Sequence, residues 1–113
     1  MALTLSGVWR EDEVLPPITP YQVMKVGRIP LIRYRRPGDP QAAAEVAALA
    51  GQVRGALFER LGPVVWERSV EQASHVLEEL EETARLWLMT HPRPQPLDAA
   101  AIDELRTTFG ARY

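Results

Sequence analysis

Residues 57–69, "LFERLGPVVWERS", place two short apolar runs on either side of Gly62-Pro63 and end on a serine. "ALF" and "PVVWE" are each strand-like, and the Gly-Pro pair interrupts them. Ser69 followed by Gln72 is a capping box. From it Ala73, Val76, Leu77, Leu80, Ala84, Trp87 and Leu88 run as one apolar stripe with spacings of three and four. The stretch therefore predicts two strands and the start of a long amphipathic helix. It also sets a problem, because Leu61 stands immediately before the turn, where many folds keep a polar or metal-binding side chain. On pattern alone a packing role explains it.

Working back from this stretch, Asp39 with Pro40 reads as an N-cap with proline at the first helical position. Ala43, Val46, Ala47, Ala50 and Val53 follow at helical spacing, which predicts a helix of about four turns. "GRIPLIRY", residues 27–34, reads as a short strand closed by "RRPGDP", with Pro30 marking an edge or a strand start. Before it, Pro16, Pro17 and Pro20 remove backbone donors, so residues 1–26 are expected to form an extended lead-in. Working forward, Pro92, Pro94 and Pro96 stop the long helix. A last helix then begins at Asp98, with Leu97 and Ile102 as a hydrophobic staple and Gly110 as its C-terminal cap. Residues 27–110 thus read as strand, helix, strand, strand, helix, helix, an α/β pattern of the α+β kind within a single domain. Strands this short need neighbours to bury them, and the sheet edges are left open.

Composition excludes several functions. The chain has 113 residues, 46% hydrophobic and 25% charged, with a formal net charge of -2, which gives no footprint for nucleic acid. The absence of cysteine removes thiolate metal sites and cysteine nucleophiles. No stretch approaches the roughly 18 apolar residues of a membrane span, and the first residues are too short an apolar run for a signal peptide. A cytoplasmic protein is expected.

Few side chains invite chemistry. His75 and His91 are too far apart for a local metal pair, and each has a solvated, structural reading. The run Glu78 to Glu82 falls on the polar side of the helical stripe and reads as a solvated face. Arg28, Arg33, Arg35 and Arg36 crowd the end of the first strand. They could hold a phosphate or carboxylate by bidentate hydrogen bonds, or pair with acids of a neighbouring subunit. Tyr34, set among these cations beside a turn, could act as a general acid, or simply pack with one polar contact.

Several segments in order resemble one family. "LPPITPYQVMKVGRIPLIRYRRPGDP", "GPVVW", "ELEETARLWL" and "IDELRTTFG" look like the second half of class II aldolase/adducin proteins, in the branch of fuculose- and ribulose-phosphate aldolases and sugar-acid phosphate decarboxylases. The resemblance implies a partial fold of that type, a few mainly antiparallel strands packed with three helices. It also implies a homo-oligomer or association with a related chain, with no nucleic acid or membrane partner. In the family a divalent metal, usually zinc, stabilises an enediolate, and one ligand is the histidine of an "NHG" or "HHG" turn. That turn corresponds to "RLG" here, so Leu61 stands at the histidine position and offers no lone pair. The resemblance carries the family's proton-donating tyrosine onto Tyr34, while Arg33, Arg35 and Arg36 remain candidates for an anion. No cofactor is expected for this chain alone, and as written it should not be an aldolase by itself.

Overall fold

A computed structural model describes residues 3–113, which form one body with a radius of gyration of 13.9 Å. Three strands, β1 (Leu31–Ile32), β2 (Gly55–Phe58) and β3 (Gly62–Val65), lie in the order β1-β2-β3. β2 and β3 pair antiparallel, with Gly55 opposite Val65 and Phe58 opposite Gly62. β1 pairs parallel with β2, Leu31 opposite Leu57, after the crossover that a parallel pair requires. Four helices accompany them: α1 (Leu3–Ser6), α2 (Pro40–Leu49), α3 (Val70–Met89) and α4 (Ala99–Phe109).

The predicted caps are in place. Asp39 accepts from the Gln41 amide, Ser69 from the Gln72 amide and Asp98 from the Ala101 amide, each satisfying a donor that its helix leaves orphaned. Gly110 takes the left-handed conformation and its amide closes onto Arg106.

The strand expected over residues 27–34 is confined to Leu31–Ile32, and three further expectations change. Residues 1–26 are not merely an extended lead-in, because beyond Pro20 the chain closes into a π-helical turn at Gln22–Val26. This arm also supplies core: Val14, Leu15 and Val26 pack with Ile29 and Leu57 and with Val76, Leu80 and Ala84 of α3. Proline removes donors without removing hydrophobicity, so the segment packs through its side chains. Its polar backbone is served by Gln22, a buried side chain that donates to the Pro16 carbonyl and accepts from the Ile18 amide. The second change is α2, which ends at Leu49 rather than running on to Val53 and buries none of its residues. The chain turns there because the Val53 and Gln52 amides both return to the Leu49 carbonyl. The third is Leu77, which lies 38% exposed on α3 while Thr83 takes a buried place and returns its hydroxyl to the Glu79 carbonyl.

Candidate active-site cleft at the hairpin tip

β1 ends at Ile32, and the chain leaves it through Arg33–Gly38 before Asp39 starts α2. Next to it the β2–β3 hairpin turns at residues 59–61. Parallel pairing of β1 with β2 carries both chain reversals to the same end of the sheet, where the Glu59 amide donates to the Ile32 carbonyl. There Arg33, Tyr34, Arg35 and Arg36 line a cleft of about 120 Å³ with Phe58, Glu59 and Leu61. Arg33, Tyr34, Arg35, Arg36 and Leu61 thus meet at one place, although Tyr34 and Leu61 are far apart along the chain, whereas Arg28 of the same arginine cluster lies in a different cleft beside Val26 and Tyr113.

The contacts sort these side chains. Glu59, which the sequence gave no reason to single out, accepts the Tyr34 amide at 3.0 Å and so fixes the tyrosine's backbone to the hairpin. Its position one residue past β2 was the available signal. The Tyr34 side chain is left 59% exposed at the mouth of the cleft. Arg35 donates to Glu45 of α2 at 2.9 Å, and that hydrogen bond holds its guanidinium above the ordinary arginine pKa. Arg33 pairs with Glu11. These two arginines therefore meet acids of their own chain rather than those of a neighbour, and their charge is largely committed. Arg36 donates to the Pro37 carbonyl at 3.3 Å and sits exposed, which leaves its guanidinium available to an anion.

The tip itself is strained. Arg60 has a φ of 65°, a left-handed conformation that costs an ordinary L-residue about 1 kcal/mol. Leu61 follows with its amide on the Phe58 carbonyl and its side chain 63% exposed. The packing role that pattern alone suggests for Leu61 does not materialise, because the side chain is exposed and joins neither the buried core cluster nor the hydrophobics packed against it.

These residues do not fit a metal ion. Leucine offers no lone pair, and among the described residues no group of three or more His, Asp or Glu side chains could hold one. His75 and His91 are both exposed, on α3 and just beyond it.

A family model described as the Class II Aldolase and Adducin N-terminal domain matches residues 1–88. The chain belongs to the class II aldolase and adducin family. Within that family it is 61% identical over 118 residues to a 3-oxo-tetronate 4-phosphate decarboxylase of Cupriavidus necator, covering 100% of this chain and 54% of the relative. It is 44% identical over 97 residues to a protein of the same name from Escherichia coli K12, covering 85% of this chain and 46% of that one. A crystal structure of YgbL from Escherichia coli, described as a putative aldolase/epimerase/decarboxylase, superposes with a TM-score of 0.83 at 41% identity, over 93% of this chain and 51% of that one. The chain thus spans about half the length of the curated relatives it matches. The mixed α/β architecture is that of its family, and no described helix is long and apolar enough to cross a membrane.

Proposed function

We propose that this chain carries the scaffold portion of a sugar-acid phosphate decarboxylase or aldolase of the class II type and is inactive by itself. The observation that carries this reading is Leu61, exposed at the hairpin tip where the family resemblance expects a metal-binding histidine. Its closest chemical guide is the name shared by its relatives, decarboxylases of a 3-oxo-tetronate 4-phosphate. Loss of carbon dioxide from a 3-oxo acid leaves an electron pair on the α-carbon, conjugated with the ketone. The transition state therefore needs a positive partner at the ketone oxygen and later a proton at carbon. Within the cleft Tyr34 could deliver the proton and Arg36 could hold a carboxylate or phosphate, but no group of metal-binding side chains among the described residues would place a Lewis acid on the ketone oxygen.

Metal analysis of the purified chain, together with a decarboxylation assay on 3-oxo-tetronate 4-phosphate, tests the reading. Neither stoichiometric zinc nor turnover is expected; finding both would overturn it.

A second reading is that the chain associates with a related chain, as part of an oligomer or as the complement of a separate first half. It is favoured by α2, which buries none of its residues, and by β3, an edge strand with Val64 42% exposed. Trp66 and Trp87 are weaker anchors for such docking than their size suggests. The Trp66 indole donates to the Ala50 and Val53 carbonyls, and Trp87 lies under the Arg93 guanidinium. Sedimentation of the chain alone and mixed with a first-half fragment of a relative would read out association. If the pair forms an active site, Leu61→His should raise its zinc affinity, and an unchanged affinity would argue against reconstitution.

A further inference from the structure

The opposite end of the sheet, where Gly55 faces Val65, carries a second concavity. An open groove of about 740 Å³ runs between the end of α2, the segment that follows β3 and the first turns of α3. It adjoins a cleft of about 250 Å³, with which it shares Val53, Arg54 and Arg112. Lys25, Arg28, Arg54, Arg68 and Arg112 line this continuous surface, and Glu67 is the only carboxylate side chain among its lining residues. Glu67 is already engaged, since it accepts from Arg54 Nε at 2.9 Å and from the Arg68 amide.

Three features separate this surface from an ordinary solvated charge run. The cations come from four separate stretches of the chain and converge on one concavity, in a protein whose formal net charge is -2. Arg54 is only 16% exposed and is held by Glu67, so its remaining guanidinium donors are fixed at the groove wall without a rotamer search. The ring of Trp66 forms an adjacent wall, fixed by its two N–H contacts to backbone carbonyls. The groove's size lies within the range of roughly 300–1,000 Å³ typical of small-molecule sites. Arginine forks match the oxygen geometry of phosphoryl groups, and a lone monoanion would leave most of these charges unmatched.

We propose that this groove binds a small phosphorylated anion carrying at least two negative charges. The site is separate from the hairpin-tip cleft and does not depend on whether that cleft catalyses. Calorimetric titration of the chain with inorganic pyrophosphate, and in parallel with ribose 5-phosphate, tests it, with tryptophan fluorescence followed alongside. Saturable one-to-one binding is expected. The Arg68→Gln/Arg112→Gln double variant should weaken it about tenfold or more, because each substitution removes a charge-assisted donor. Both side chains are exposed, so the melting temperature should hold; should it fall, Lys25→Gln provides the same comparison. Arg85→Gln, on the exposed face of α3 and outside the groove lining, should leave affinity unchanged. Tighter binding of ribose 5-phosphate would assign the groove to a phosphorylated metabolite, and tighter binding of pyrophosphate to a free phosphate species. Absence of saturation by about 10 mM of either probe, weaker than the millimolar range that corresponds to roughly 4 kcal/mol, would overturn the proposal. So would an affinity that the double variant retains.

Discussion

The two ends of the β2–β3 hairpin are built to different tolerances. At the open end, a Cβ added to Gly55 would lie 2.6 Å from the Val64 carbonyl oxygen and 3.0 Å from a Val65 methyl, so only glycine fits. At the tip, Arg60 occupies a strained backbone conformation and Leu61 projects 63% exposed. Strands are stabilised where they are packed, and residues at a turn are released from that demand. The difference teaches that the tip tolerates a change of side chain with little cost to the scaffold, whereas the other end admits almost no change.

Substitutions should reproduce this gradient. The largest effect is expected from Gly55→Ala, which forces a methyl against backbone that cannot yield; a loss of about 3 kcal/mol in chemical denaturation is the expected outcome. Next comes Gln22→Leu, which leaves the Pro16 carbonyl and Ile18 amide without their partner in the core and should cost about 2 kcal/mol by the same measurement. Glu13→Gln should stabilise by about 1 kcal/mol at pH 7. Burial raises the Glu13 carboxyl above its ordinary value of 4.5, with Arg28 and Arg10 offsetting part of that rise. The folded state therefore holds this proton more tightly than the unfolded one. The cost of the buried charge is present above the raised pKa and disappears as pH falls through the window just above 4.5, so the advantage of glutamine should shrink there. Melting curves across pH 4 to 8 would check it.

At the tip the effects should be small. Arg60→Asn should raise stability by about 0.5–1 kcal/mol, because asparagine tolerates the left-handed region. Leu61→Ser should change it by less than about 0.5 kcal/mol, since little apolar surface is buried there. A loss of 2 kcal/mol or more at Leu61 would abolish the contrast between the two ends.

How much of this was legible depends on how local the cause is. The N-caps at Asp39, Ser69 and Asp98, the C-cap at Gly110 and most of the α3 stripe follow from interactions within a few residues, and the sequence displays them. The arm before β1 does not, because prolines announce what the backbone cannot do and stay silent about what Val14, Leu15 and Val26 pack against. Leu77 fails for a related reason: helical spacing defines a face, while the width of that face depends on what covers it. The candidate cleft was readable as separate residues. Only the parallel register of β1 with β2 brings Tyr34 beside Leu61, and Glu59 gains its part from that register alone. The basic groove was invisible, since its cations lie on four stretches with no common pattern.

One hydrogen bond also sets a clock. The Leu97 amide donates to the Pro17 carbonyl at 2.7 Å, tying the entry of α4 to the proline-rich arm. During synthesis from the N-terminus, the hairpin and α3 can form while position 97 is still inside the ribosome, but the arm cannot receive this clasp. The backbone at Pro17 must therefore wait for residue 97 before it is fully tied down.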